Sequence, residues 1–358
     1  MDWNTINYYF SSLVILVYGW LSLIILTLSI IVFSYVYESI RRYMKKNINE
    51  ESRQKGLLYK KNVIVTGGSS GIGKCVAILA AQEGANVIII ARNLEKLTMA
   101  QSEILEACRD KKTQQIEGIS MDISLDYGRV LTAIDELENR LGPIYMLVNC
   151  AGTAVCGKIE DTTSDMFNLL LQLNLAGSYY CTKAVVPKMK QAREGRIVLV
   201  GSQASLLGVF GYTAYSATKF AIRGLAEALA MELTPHNVFV TLSLPPDTDT
   251  PGFEVEEETK PMETKLISNA CGLMQPEDVA KKLFYDALDG KFFSTIGMES
   301  YLVTTVCAGM SPYSSLSELA LQVLLMGPFR IVSAFLLYSF RNIVTKCMND
   351  RENQKKSE

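Results

Sequence analysis

The chain has 358 residues, 49% hydrophobic and 20% charged, which suits one catalytic domain of about 250 residues with extensions and excludes a disordered chain. Thirty-five basic against 37 acidic residues give a formal charge of −2, so no basic field gathers a phosphate backbone and nucleic acid is not an expected partner. A single histidine, His236, removes most histidine-based metal sites, so no metal is expected, and the eight cysteines form no C-x-x-C pair, the usage of buried thiols in a reducing compartment.

Residues 1–46 read as a transmembrane signal-anchor with its basic flank. No charged residue occurs from position 3 to 37, and 13–37 is long enough to cross a hydrocarbon layer of about 30 Å. It lacks a basic n-region and a small-residue cleavage site, which argues for retention. Arg41, Arg42, Lys45 and Lys46 follow, and the positive-inside rule places that flank and everything after it in the cytosol.

A polar linker over 47–60 leads into a domain expected over 61–298. There, apolar strand-like runs alternate with amphipathic helical ones, the pattern of a parallel sheet with crossover helices. Strands are expected at 62–65, 86–91, 116–121, 145–149, 196–201 and 238–244. Runs such as Val87-Ile88-Ile89-Ile90 are continuous, as in strands covered on both faces, so the expected class is α/β with a doubly wound parallel sheet. Residues 299–342 form an apolar, membrane-associated or lid segment. Glu318 and Arg330 interrupt it and Gly327-Pro328 predicts a break, leaving 319–329 and 331–340 each too short to cross a membrane. An interfacial or re-entrant hairpin, a lid over a lipid site and a plain core helix pair all stay open. The charged tail, 343–358, is expected to be mobile.

The first strand runs into Thr66-Gly67-Gly68-Ser69-Ser70-Gly71-Ile72-Gly73 and then an apolar helix. Glycines allow a tight turn and close backbone approach to a pyrophosphate, and the helix N-terminus offers free N–H groups, so Gly67, Ser69, Ser70, Gly71 and Gly73 are cofactor-binding candidates. An acidic residue at the end of the second strand would select NAD; here Arg92 stands there, with Lys96 one turn on, which favours a 2′-phosphate and hence NADP(H). Asp122 and Ile123 end the third strand and Asn149 the fourth, on the carboxyl edge where such ligands lie; Asp122 also reads as a cap for the next helix.

The sharpest constellation is Ser202 at the end of the fifth strand, with Tyr215 and Lys219 beyond it. Four residues is one helical turn, so phenol and ammonium share a face, and a neighbouring cation stabilises phenolate. Ser202 is placed to hydrogen-bond a carbonyl or carbinol oxygen. Asn174 is placed to hold a helix kink and a water leading to the lysine.

Together these residues resemble the short-chain dehydrogenase/reductase family: T-G-x-x-x-G-x-G at 66–73, Asn149-Cys150-Ala151-Gly152, then Asn174, Ser202, Tyr215 and Lys219. The resemblance covers about 60–297 and implies a Rossmann fold, with hydride transfer between nicotinamide C4 and a carbonyl or carbinol carbon. It implies Tyr215 as general acid in reduction, Lys219 lowering its pKa and binding the nicotinamide ribose, Ser202 positioning the oxygen and Asn174 sustaining a proton relay. Family members often pair through the Tyr215 helix and its predecessor, so a homodimer is expected. Cys150 departs from the usual second Asn, and Pro245-Pro246 from the usual Pro-Gly. The loop 244–253 resembles the family's sphingoid-ketone branch, which reduces 3-ketosphinganine to sphinganine with NADPH at the cytosolic face of the endoplasmic reticulum. A long-chain ketone in membrane lipid suits an anchored domain, and Asp247, Asp249 and Glu254 are the acids expected to meet its ammonium group. A membrane-anchored steroid or retinoid reductase of the same family is the enzymatic alternative, and a catalytically silent NADP-binding scaffold the non-enzymatic one.

Overall fold

The computed structural model describes residues 56–269 and 272–357, together with 18–19, 21–22, 25–33 and 36. The expected anchor, its basic flank and most of the linker lie outside the described residues, apart from those stretches within 18–36, which are helical.

A strand that is apolar on both faces needs cover on both, and the crossover helices supply it. In chain order the elements are β1 (Asn62–Thr66), α1 (Gly71–Gln82), β2 (Asn86–Ala91), α2 (Leu94–Glu106), β3 (Ile116–Ser120), α3 (Tyr127–Leu141) and β4 (Ile144–Asn149). There follow α4 (Ser164–Leu170), a π-helical turn (Leu171–Gly177), α5 (Ser178–Ala192), β5 (Gly195–Val200), α6 (Thr213–Leu233) and β6 (Val238–Ser243). Last come α7 (Pro251–Thr259), α8 (Met262–Ser268), α9 (Pro276–Leu288), β7 (Phe293–Ser294), α10 (Met298–Cys307) and α11 (Leu316–Ser357).

All neighbouring strands pair parallel in the order β3-β2-β1-β4-β5-β6-β7. Alternate strand residues enter two cores. Ile64, Ile88, Leu147 and Leu199 pack with α3, α5 and α6 through Ile134, Val185 and Ile222. Val63, Val65, Ile89 and Met146 pack with α1, α2 and α9 through Val76, Leu97 and Phe284. The strand order reverses between β1 and β4, which opens a crevice beyond their carboxyl ends.

All six expected strands form, each within one residue of its expected ends, and the two-residue β7 is added. The C-terminal region differs from expectation. One helix, α11, runs unbroken through Gly327 and Pro328 and onward through the tail expected to be mobile. Pro328 forfeits one backbone hydrogen bond, but strong helix formers lie on both sides and the adjacent Phe329 ring meets Tyr301 edge-on at 6.2 Å. The result is a helix long and apolar enough to cross a membrane.

Candidate active site

The crevice is one cavity of about 450 Å³, floored by the ends of β1, β2, β4 and β5 and walled by α6, α7 and α8. Its first half is built from backbone. Gly67 takes φ +68°, and a Cβ there would lie 2.9 Å from the Ala151 backbone. A Cβ on Gly73 would lie 2.4 Å from the Gly67 carbonyl oxygen, so side chains are excluded where the turn meets α1. The Thr66 hydroxyl ties the β1 and β4 turns together, accepting from the Cys150 and Ala151 amides, both at 3.1 Å. Ser70 at the head of α1 makes no side-chain cap, which leaves the first-turn N–H groups facing the cavity. This uncapped helix end and glycine cradle fit a dinucleotide pyrophosphate.

Ser69, Ser70, Gly71, Arg92, Asp122 and Ile123 all line the cavity. The exposed Arg92 guanidinium lies 3.8 Å from Asp122 and is free to swing to an anion, because an exposed pair at that separation is weak. Burial opposes ionisation of Asp122, but hydrogen bonds from Ser124 and the Arg92 charge outweigh it and hold its carboxyl below the usual range. Asp122 does not cap α3; Asp126 does, accepting from the Gly128 amide at 2.7 Å. Lys96 and Asn149 do not reach the cavity lining. Lys96 is exposed on α2, and Asn149 is buried behind β4 with its amide on the Thr182 hydroxyl at 3.0 Å.

Ser202, Tyr215 and Lys219 meet in the same cavity. Ser202 sits in a capping box, its hydroxyl accepting from the Ala204 amide at 3.2 Å and standing beside the Tyr215 phenol. Lys219 is buried, donates to the Val200 carbonyl at 3.0 Å and lies 5.5 Å from the Tyr215 ring centre. Burial pulls its pKa down to about 8, against the opposing pull of Cys150 and Glu256. The same burial, then the Glu256 carboxylate, push the Tyr215 phenol above its ordinary range, while Ser202 acts in the other direction. The resting phenol is therefore raised on balance, despite the cation one turn away. Desolvation wins because both groups lie away from water. Cys150, in place of the expected Asn, is half-buried, and desolvation pushes its thiol up to about 12.

Asn174 lies one layer behind the cavity, in the π-helical turn, where the extra residue per turn aims its carboxamide at the β4 loop. Its Oδ1 accepts from the Thr153 amide at 2.9 Å, and its Nδ2 donates to the Thr153 carbonyl at 3.0 Å and the Thr218 hydroxyl at 3.1 Å. The expected irregularity takes the form of this π-helical turn. The carboxamide is engaged in bracing the loop.

The second half of the cavity is built from side chains, and here the acids are redistributed. Asp247 lines the wall but accepts from Lys260 at 3.0 Å, while Asp249 and Glu254 are exposed and outside the lining. Glu256, a fourth acid, also lines the cavity, accepts from the Tyr212 hydroxyl and pairs with Lys260 at 3.1 Å. Burial raises its carboxyl pKa. The Lys260 side chain is fully buried and also meets Glu257 at 2.6 Å, so one cation serves three carboxylates. The available signal was the Glu256/Lys260 spacing of four ahead of Pro261, a helix-face pair closed by a stop. Phe253, Ile267 and Phe340 make the far wall apolar; Phe340, from α11, carried no signal linking it to the site.

Comparison with known proteins agrees with this geometry. Residues 61–261 match the short chain dehydrogenase family model. The chain is 49% identical over 295 residues to a 3-dehydrosphinganine reductase of Danio rerio, covering 82% of this chain and 88% of the relative. It is 50% identical over 287 residues to a 3-ketodihydrosphingosine reductase of Bos taurus, covering 80% and 86%. Among solved structures, a short-chain dehydrogenase from Streptomyces avermitilis superposes with a TM-score of 0.57 at 28% identity, over 68% of this chain and 90% of that one. The chain belongs to the short-chain dehydrogenase family. It is an oxidoreductase acting on a ketone/alcohol pair, and the family works with NAD(P)(H).

Proposed function

We propose that this protein reduces 3-ketosphinganine to sphinganine with NADPH, with Tyr215 as proton donor. The observation that carries this reading is a single cavity in which Ser202, Tyr215 and Lys219 stand between a pyrophosphate cradle and a wall holding an acid, Glu256, and the apolar Phe253, Ile267 and Phe340. The relatives' names supply the substrate class.

When bound, the nicotinamide cofactor supplies the hydride that adds to the ketone carbon. Gly67, Ser69, Ser70, Gly71 and Gly73 would hold its pyrophosphate, Asp122 and Ile123 would flank its adenine side, and Arg92 would meet a 2′-phosphate in preference to a bare ribose. Ser202 donates to the ketone oxygen and fixes it beside Tyr215. Tyr215 is held protonated by its buried setting, the state an acid needs when the oxygen gains electron density. As the phenol gives up its proton, the Lys219 ammonium one turn away stabilises the phenolate left behind. Asn174 acts indirectly, fixing Thr153 and Thr218 and so the floor on which Lys219 rests.

The substrate's 2-ammonium group, one carbon from the ketone, falls to Glu256, the acid of the far wall. Steroids and retinoids carry no cation for such a wall, and a binding-only scaffold needs no carbonyl-facing Ser and Tyr pair. We assign the crevice to the cytosolic side of the endoplasmic reticulum membrane, an orientation supported by Arg41, Arg42, Lys45 and Lys46 beside the apolar 13–37 segment. A homodimer is supported by exposed Tyr179 on α5 and Phe220 and Met231 on α6; cross-linking in detergent that yields monomer alone counts against it. The test of the activity is NADPH oxidation by the solubilised protein across 3-ketosphinganine, a steroid ketone and retinal. The sphingoid ketone should be preferred, and preference for either of the others overturns the substrate assignment.

A further inference from the structure

Three side chains of α11 reach its neighbours at regular intervals. Phe329 packs edge-on against Tyr301 of α10, Phe340 enters the cavity lining and Arg351 pairs with the buried Glu263 of α8. The intervals are eleven residues each. Eleven residues are three turns at about 3.67 per turn, so the three side chains share one face of the helix. From the first to the last the axis advances roughly 33 Å, the thickness of a hydrocarbon core. A helix that crossed a bilayer over that distance would leave the domain behind on one side. This one keeps contact with the domain from Phe329 to Arg351.

Its other face is bare and apolar. Ile331, Phe335 and Tyr338 are 63%, 71% and 66% exposed and recur at helical spacing, with Val323 and Val332 beside them. Water is a poor partner for such a stripe. The lining face and the bare face lie back to back, so whatever covers the stripe is one helix diameter, about 10 Å, from the cavity. Beyond the apolar stretch the helix turns polar, and residues 341–358 hold five basic against three acidic residues.

We propose that α11 lies flat in the surface of a lipid bilayer with Ile331, Phe335 and Tyr338 among the acyl chains, and that it roofs an opening through which a lipid substrate passes from the bilayer under Phe340 into the crevice. The positioning in lipid stands on α11 alone; the passage of substrate rests on the function proposed above. The occupant is lipid because the stripe lies one helix diameter behind the apolar end of the cavity, and because the basic end suits anionic headgroups.

The test uses the full chain with Trp3 and Trp20 replaced by Phe, single Val323→Trp, Ile331→Trp and Tyr338→Trp variants, and vesicles of phosphatidylcholine and phosphatidylserine brominated at shallow or deep acyl positions. The three tryptophans should be quenched alike, and more by the shallow bromines. Depths that change steadily along the helix, by about 1.5 Å per residue, mean a crossing helix and overturn the proposal. Absence of quenching also overturns it, and means that a second copy or another segment of this chain covers the stripe. These readouts need no substrate, so they stand apart from the proposed activity. For the passage itself, a paired Ile331→Glu/Phe335→Glu variant should lose at least tenfold in turnover of 3-ketosphinganine presented in vesicles, while reduction of a short-chain, water-soluble amino ketone is unchanged. Equal turnover of the vesicle-borne ketone contradicts entry from the bilayer.

Discussion

The two halves of the crevice are built from different materials. The half beneath α1 is made of backbone at the ends of adjacent parallel strands: the Gly67 turn, the uncapped first turn of α1 and the Thr66 tie to the Cys150 and Ala151 amides. The half beneath α11 is made of side chains gathered from Tyr212, Phe253, Glu256, Lys260, Ile267 and Phe340, spread over more than a hundred residues of chain. Backbone geometry demands particular residue types at fixed spacing, so the first half is specific for a class of cofactor. Side-chain walls tolerate many residues, so the second half is where a family changes substrate.

Substitutions in the two halves should therefore fail in different ways. The largest effect belongs to their meeting point. Tyr215→Phe should lower kcat about a thousandfold with NADPH affinity nearly intact, measured by steady-state turnover and by cofactor fluorescence titration. A parallel loss of NADPH binding would mean that the phenol holds the cofactor half together. Next, Arg92→Ala should cost about thirtyfold in preference for NADPH over NADH, read as the ratio of the two kcat/KM values, because one charge-assisted contact to the 2′-phosphate is lost. No change in that ratio would remove Arg92 from cofactor selection. In the side-chain half, Glu256→Gln leaves Lys260 its bonds to Asp247 and Glu257, so the fold should hold. It should raise KM for an amino ketone about tenfold and leave a ketone without the amine unaffected.

The smallest effect is in pH. The Lys219 pKa lies near 8, depressed by burial, so the ammonium is charged below that value and neutral above it. The charged form is the one that stabilises phenolate, so kcat/KM for NADPH should fall as pH rises through about 8. Lys219→Arg should flatten that limb, since guanidinium keeps its proton. A limb that persists in the Arg variant belongs to another group.

The same division explains what could be read from sequence. Continuous apolar runs and glycine spacing are local, and they placed six strands and the pyrophosphate turn. Ser202, Tyr215 and Lys219 were legible because a strand end and one helical turn fix their separation. Lys96 stands exposed on α2 outside the lining, and Asn149 lies behind β4 with its amide on Thr182, placements set by side-chain direction that spacing does not reveal. The contact of Asp247 with Lys260, thirteen residues on, was not legible because it depends on the lysine folding back across the loop. The Tyr215 phenol is raised where proximity to a cation suggested the reverse, since burial is a property of the whole fold. Phe340 reaches the site only because α11 continues through Pro328, and a proline in an apolar run reads locally as a stop.

The most direct test of the reaction is a single-turnover experiment with NADPH deuterated at both C4 positions, 3-ketosphinganine and the solubilised protein, followed by mass spectrometry of the product. Sphinganine carrying one deuterium at C3, formed by the native chain and at least a hundredfold more slowly by Tyr215→Phe, is the expected result. Unlabelled sphinganine, or labelled product formed as fast by the Phe variant, would contradict hydride transfer in this crevice with Tyr215 as the acid.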